Sequence, residues 1–144
     1  MIHISDWKTI DGKEKMSKIE KFEDIKSWQL AREATRIIFD LSSEGRFAKD
    51  FTLVNQIRRS SISIMSNIAE GFERGGDKEF VNFLSIAKGS CGEARSQLYI
   101  AFDRNYITEA EFSSAYEKLN ETGKLIGGFM NYLKKSKLRG SKFK

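Results

Sequence analysis

Two groups of polar residues stand where their side chains could do chemistry. Asn67, Glu70 and Arg74 follow one another at intervals of three and four, and Ser90 and Glu93 stand three apart further along the chain. On a helix, residues three or four positions apart share a face, so each group places a carboxylate beside other polar atoms. Carboxylates in such surroundings are typical of divalent-cation sites and of hydrolytic enzymes.

A nucleophile is the next group to look for. The run 89–92 reads Gly-Ser-Cys-Gly, but its spacing is not G-x-S-x-G, and no strand precedes it. A serine or cysteine nucleophile needs a base, and the only histidine, His3, lies in the N-terminal segment. Cys91 falls on an apolar stripe and is interpreted as a small buried side chain. The sequence therefore predicts no catalytic residue and no enzyme.

Metal and phosphate-loop motifs are also missing from the sequence. Helical bundles that hold two metal ions use Glu-x-x-His pairs, and zinc sites need clustered cysteines and histidines. The glycines at positions 71, 75 and 76 are not followed by the Gly-Lys-Ser/Thr of a phosphate loop. We expect no metal and no cofactor. Magnesium held by the carboxylates of Glu70 and Glu93 alone is the alternative that stays open.

The same polar residues also fit a structural role. Glu70 can pair with Arg74, which lies one helical turn further on. A buried polar network needs every donor and acceptor satisfied, and it then fixes the register between the helices that carry it. We interpret Asn67, Glu70, Ser90 and Glu93 as such a structural polar network.

The segments that position these residues have the pattern of helices. The chain contains no proline, and apolar residues recur at intervals of three and four in four runs. The runs extend over roughly 22–43, 52–74, 77–105 and 108–133. Four helices with short connections predict an all-α, antiparallel up-and-down four-helix bundle.

Local signals mark the ends of these helices. Asp50 or Thr52 is expected to cap the second helix, and Asp77 the third. Asn105 is a natural left-handed terminator, and Thr108 begins a T-x-x-E capping box for the fourth helix. The chain is then divided into a flexible N-terminal extension, a bundle domain and a basic C-terminal tail, at 1–21, 22–136 and 137–144.

The positive charge is concentrated at the C-terminus. The formal net charge is +5, but residues 134–144 contribute +6 with no acid, so residues 1–133 carry −1. A run of like charge is usually a solvated end, and the alternative is an arm that neutralises phosphates. The candidate nucleic-acid contacts are cations of this stretch and of the second and third helices: Arg58, Arg59, Arg74, Lys78, Lys134, Lys135, Lys137 and Arg139.

Composition restricts the class of protein. Hydrophobic residues make up 40% and charged residues 31%, which is typical of a globular chain and not of a disordered one. No stretch approaches the ~20 apolar residues of a membrane span, and no apolar signal-peptide core opens the chain. The single cysteine excludes an internal disulfide and fits a reducing compartment. We expect a cytoplasmic protein with no membrane partner.

Small and aromatic residues favour self-association. Serines and glycines recur in the second and third helices although they are poor helix formers, which indicates close contacts within a subunit or between subunits. Five phenylalanines fall outside the apolar stripes, and in a monomer they would leave apolar surface exposed. They are Phe39, Phe47, Phe51, Phe83 and Phe102.

The motifs taken together resemble those of a known family. Residues 56–59 (Gln-Ile-Arg-Arg), 66–71 (Ser-Asn-Ile-Ala-Glu-Gly) and the Glu-Phe, Phe-Leu, Ile-Ala and Gly-Ser pairs of 79–93 resemble the four-helix bundle proteins of the 23S rRNA intervening-sequence family. Phe-Glu-Asp at 22–24 is similar to the start of their first helix. The resemblance extends over roughly 22–133, so it leaves out both termini.

This resemblance implies a small, non-enzymatic bacterial protein that assembles as a homopentamer. A related accessory protein of diversity-generating retroelements has a similar fold and binds nucleic acid and a reverse transcriptase. We therefore expect a non-catalytic, self-associating bundle protein that is associated with RNA or DNA. The alternative is a protein-interaction scaffold or accessory subunit, for example for a reverse transcriptase. A stoichiometric partner that survives nuclease treatment would favour the alternative.

Overall fold

Four long helices account for most of this chain, whose structure is a computed structural model that describes residues 2–10 and 13–142, with side chains from 19 to 136. The elements, in chain order, are β1 (Ile2–Ile10), β2 (Lys13–Ile19), a 3-10 turn (Phe22–Asp24), α1 (Lys26–Ser42), α2 (Gly45–Lys49), α3 (Phe51–Glu73), α4 (Asp77–Asp103) and α5 (Glu109–Lys142).

The long helices form a closed square. Helix α3 packs against α4, α4 against α5, α5 against α1, and α1 against α3. Short connections make successive long helices antiparallel, which is the up-and-down arrangement of a four-helix bundle. The all-α bundle predicted from the sequence is therefore confirmed. One end of the bundle contains the start of α1, the α3–α4 turn and the C-terminal part of α5.

The core consists of the apolar stripes that the sequence shows. Ile57, Ile64 and Ile68 of α3 are fully buried, as is the stripe of α4 that begins with Phe80 and Leu84. Three buried alanines of α4, at positions 87, 94 and 101, are seven residues apart and therefore lie on one face. Burying each large apolar side chain contributes roughly 1.5–3 kcal/mol, so these stripes determine which helices pack together.

The predicted helix-end signals are mostly confirmed. The side chain of Asp50 accepts a hydrogen bond from the Leu53 amide at 3.1 Å. Thr108 and Glu111 make both reciprocal bonds of the capping box, at 2.8 and 3.1 Å. Asn105 has a φ of 59°, as expected for a left-handed terminator.

One predicted helix cap is wrong, and one short helix was not predicted. The N-cap of α4 is Gly76, and Asp77 is the first helical residue, where its negative charge faces the positive end of the helix dipole. Helix α1 ends at Ser42, and the short helix α2 follows, which the sequence pattern did not predict. Phe47 of α2 is fully buried and stacks on Tyr106, so five residues without helical periodicity close this end of the bundle.

Both terminal segments contain regular secondary structure that the sequence pattern did not predict. Strands β1 and β2 pair antiparallel, with Ile2 opposite Ile19 and Ile10 opposite Lys13, although the sequence shows no alternating pattern there. Backbone hydrogen bonds form this ladder, and they require no particular side chains. The interpretation of residues 1–21 as a flexible extension stays a prediction. Helix α5 continues to Lys142, so the predicted start of the tail at residue 137 lies within a helix.

Candidate functional site

The seam between α3 and α4 contains a series of side-chain hydrogen bonds. The hydroxyl oxygens of Ser63 and Ser90 are 2.8 Å apart, and the amide of Asn67 donates to the Ser63 hydroxyl at 3.0 Å. Ser60 donates to the amide oxygen of Gln97 at 2.9 Å. We call these five residues the seam network. Each of its bonds links α3 to α4 or braces a side chain that does, so the network fixes the register of the two helices.

The two carboxylates predicted for this network lie outside it. Glu70 is about half exposed and accepts a hydrogen bond from Arg74 at 3.0 Å. Glu93 is exposed and makes no hydrogen bond with the side chains that the structure describes. Three positions on a helix correspond to about 300°, so Glu70 is turned by about 60° from Asn67, and Glu93 from Ser90. Both acids therefore point outward while Asn67 and Ser90 face the seam. The sequence reasoning also missed Ser60, Ser63 and Gln97.

Cys91 is buried below the surface between α4 and α5. Desolvation raises the pKa of its thiol to about 12, against a smaller lowering effect of the nearby Arg95 charge. The reactive thiolate is therefore a negligible fraction at neutral pH. The Ser90 hydroxyl is not a free nucleophile either, because it is hydrogen-bonded to the hydroxyl of Ser63. Within the side chains from 19 to 136, no three metal-ligating residues of the His, Cys, Asp or Glu type come together.

Arg58 and Arg59 point in different directions. The Arg58 guanidinium donates to the hydroxyls of Ser42 at 2.9 Å and Ser43 at 3.0 Å, and it lies 4.5 Å above the ring of Phe39. These contacts tie α3 to the end of α1. Arg59 is exposed and forms no hydrogen bond among the described side chains. Of the two, only Arg59 presents a guanidinium that is available to a ligand.

The other candidate cations gather at the opposite end of the bundle. Lys78 and Lys134 line one surface recess together with Asp77. Arg74 is the C-cap of α3, and Lys135 follows Lys134 in α5. We call Arg74, Lys78, Lys134 and Lys135 the basic end. Arg59 lies about 22 Å from Arg74 along α3, since a helix rises 1.5 Å per residue.

The predicted contacts thus form two separate groups. Lys137 and Arg139 belong to the last turns of α5, where the structure describes the backbone but not the side chains. Their helix continues directly from the basic end.

A pocket between α4 and α5 was not predicted from the sequence. It has a volume of about 360 Å³, and three of its lining residues are cations: Lys88, Arg95 and Lys124. We call it the α4–α5 pocket. The glycines at positions 123, 127 and 128 of α5 also line it, so part of that wall is backbone. These cations are scattered along the sequence, and only the register between two helices brings them together.

Exposed apolar residues lie mainly on the outward faces of α3 and α4. Ile62, Ile86 and Ile100 are each about half exposed, at 46%, 53% and 48%. Of the five phenylalanines that favoured an oligomer, Phe51 is the most exposed, whereas Phe47 belongs to the core. The exposed apolar surface therefore includes Phe51 and these isoleucines, and not the other phenylalanines. None of the helices in the part of the chain described here is long and apolar enough to cross a membrane.

Comparison with known proteins gives a family match and structural matches. Residues 23–128 match the model of a family described as 23S rRNA-intervening sequence protein. A crystal structure of a protein of unknown function from the S23 ribosomal protein family of Bacteroides thetaiotaomicron superposes with a TM-score of 0.66 at 27% identity. That alignment covers 72% of this chain and 97% of the other. No curated protein matches this chain.

Proposed function

Because the chain belongs to the 23S rRNA-intervening sequence protein family, we propose that it is a non-catalytic, self-associating bundle protein that binds RNA. The observation that carries the proposal is the end of α5. Residues 134–144 contain six cations and no acid, and α5 continues through this stretch as far as Lys142. The remainder of the chain has a net charge of −1, so the positive charge that would attract a polyanion is concentrated in this region.

The state of the polar groups supports a role without catalysis. The only cysteine is buried with a raised pKa, and Ser90 is hydrogen-bonded within the seam network. Glu70 pairs with Arg74 at the surface, which is the ordinary condition of an exposed carboxylate. These arrangements stabilise a bundle, and among the side chains from 19 to 136 they leave no activated nucleophile beside a base.

RNA binding is tested by neutralising the end of α5. We expect Lys134, Lys135, Lys137 and Arg139, all changed to Gln, to weaken binding of single-stranded RNA more than tenfold at about 50 mM salt. The dependence of log K on log salt should become shallower by about 3, since each phosphate contact contributes roughly 0.7. Fluorescence anisotropy over a series of salt concentrations measures both quantities.

A matched variant removes four exposed cations elsewhere: Arg32, Arg36, Lys49 and Arg104. It should leave the salt dependence unchanged. Equal loss in both variants, or no binding by the intact protein at about 50 mM salt, would contradict the proposal. The same titration with DNA determines whether RNA is preferred.

Self-association is supported by the outward face of α4. Ile86, Glu93 and Ile100 are seven residues apart and therefore share one stripe, in which two half-exposed isoleucines flank a carboxylate. We propose that this stripe lies in an interface between subunits, and the family resemblance suggests a pentamer. Ile86→Glu should then shift the sedimentation coefficient to that of a smaller species. Lys49→Glu, on the exposed surface of α2, is the control.

The same stripe would serve a scaffold or accessory subunit for another protein. A monomeric wild-type protein in sedimentation would favour this second candidate, because the isoleucines would then be free for a different partner. One stoichiometric protein that stays bound after nuclease treatment, and is lost in Ile86→Glu, would identify it.

A further inference from the structure

The α4–α5 pocket has the composition of an anion site. Its volume of about 360 Å³ lies in the range of small-ligand pockets. Three cations line it and no carboxylate does, and none of the three forms a salt bridge with the described side chains. Lys88 and Lys124 are exposed, whereas Arg95 is half-buried. Three positive charges in one recess repel each other unless an anion is present.

Arg95 is held in place with one donor unused. Its Nη1 donates to the amide oxygen of Asn120 at 3.1 Å, and its guanidinium lies 5.7 Å above the ring of Tyr116. Its Nε is buried and has no acceptor among the described residues. An unsatisfied buried donor is unfavourable, and a guanidinium near a charged acceptor forms strong, short hydrogen bonds. Arg95 also lines the pocket, so the positive charge of its guanidinium would attract a ligand with anionic oxygens.

The glycines of α5 keep the pocket open. A Cβ atom at Gly127 would lie 3.8 Å from Cε and 3.9 Å from Nζ of Lys88, and one at Gly123 would lie 3.7 Å from Cβ of Cys91. Alanine would therefore fit at either position without a clash. Glycine within a helix costs about 0.5–1 kcal/mol relative to alanine, so its presence here is not explained by packing. The absent methyl groups leave room beside the lysine ammonium.

We propose that the α4–α5 pocket binds a terminal phosphate group. A phosphodiester carries one negative charge, whereas a terminal phosphate carries −1.5 to −2 at neutral pH and offers three acceptor oxygens. The three cations match the second group better. The phosphate can belong to a free nucleotide or to the 5′ end of an RNA, and both have the same chemistry at this site. The proposal does not depend on RNA binding by the basic end.

The first experiment is a calorimetric titration of the full chain with inorganic pyrophosphate at about 50 mM chloride, a salt concentration that preserves electrostatic binding. We expect the double variant Lys88→Gln, Lys124→Gln to bind at least tenfold more weakly. Both lysines are exposed, so the variant should remain folded. Lys49→Gln removes a charge from the distant helix α2 and should change the affinity less than twofold. Arg95→Lys, which keeps the charge and loses the planar guanidinium held by Asn120, should also weaken binding.

The second experiment distinguishes the sources of the phosphate. A mononucleotide is compared with a short RNA carrying either a 5′-phosphate or a 5′-hydroxyl group. Competition by the mononucleotide supports a free ligand, and a preference for the 5′-phosphorylated RNA that requires Lys88 and Lys124 supports an RNA end. No binding of pyrophosphate together with equal binding of both RNAs would overturn the proposal. An equal loss of affinity in Lys49→Gln would do the same.

Discussion

The two seams of helix α4 are built in opposite ways. Towards α3, hydroxyl and amide groups bond one another, and the helices approach so closely that a Cβ atom at Gly71 would lie 2.7 Å from Cβ of Phe83. Towards α5, cations remain without acidic partners, and a Cβ at Gly127 would meet only ordinary van der Waals contacts. Polar residues thus have different roles at the two seams. Where donors and acceptors are matched they stabilise the fold, and where they are unmatched beside open space they indicate a ligand.

Cys91 lies between the two seams, because it follows Ser90 of the seam network and also lines the α4–α5 pocket. The reactivity of its thiol therefore measures how far the pocket extends towards the seam network. Its pKa of about 12, compared with 9.0 for an ordinary thiol, reduces the thiolate fraction at pH 8 by about 1000-fold. We expect alkylation by iodoacetamide to be slower by at least this factor in the native protein than in denaturant. Comparable rates would show that the pocket reaches the sulfur.

The same shift in pKa gives a dependence of stability on pH. The native thiol keeps its proton up to about pH 12, whereas the unfolded thiol loses it near pH 9. The stabilisation is therefore complete below pH 9 and is lost as the pH rises towards 12, by up to about 1.4 kcal/mol per pH unit. Cys91→Ala should lack this part of the alkaline decline. Urea unfolding at pH 8 and pH 10 measures the difference.

Gly71→Ala tests the close contact at the α3–α4 seam. The new Cβ would overlap Cβ of Phe83, which belongs to the rigid base of its side chain, and would lie 2.9 Å from the Phe80 ring. The helices must move apart, and overpacking of this kind costs typically 1–3 kcal/mol. Gly89→Ala is the control, because nothing lies within 4 Å of its Cβ position, and it should gain about 0.5–1 kcal/mol. Equal effects of both changes in urea unfolding would mean that the seam is not closely packed.

The sequence predicted those features that depend on a few neighbouring residues. The cap at Asp50 and the box of Thr108 and Glu111 are local, and the structure contains them. Long apolar stripes likewise predicted the bundle, because periodicity over many residues averages out small errors. The direction of a single side chain does not follow from such spacing, because residues three positions apart differ in direction by about 60°. This is why Glu70 and Glu93 were assigned to a network that they do not join.

Features that depend on the register between distant helices could not be predicted. The α4–α5 pocket combines Lys88 and Arg95 with residues about 30 positions further on, and a change of one helical turn would separate them. The sequence did contain a signal, because Gly123 and Gly127 are one turn apart in a helix and unfavourable there. Glycines in a helix interior can indicate close packing or open space. Only the structure shows that Gly71 is the first kind and Gly127 the second.

Gly127→Ala has the smallest expected effect on stability and separates packing from binding most directly. The added methyl group fits beside Lys88 and improves helix propensity, so unfolding should require about 0.5–1 kcal/mol more. If the glycine serves the pocket, the same methyl group restricts the Lys88 ammonium, and pyrophosphate should bind more weakly although the protein is more stable. Gly89→Ala should give the gain in stability and leave pyrophosphate affinity unchanged. If Gly127→Ala raises both the stability and the affinity for pyrophosphate, the open seam is a packing defect. The contrast between the two sides of α4 would then have no functional meaning.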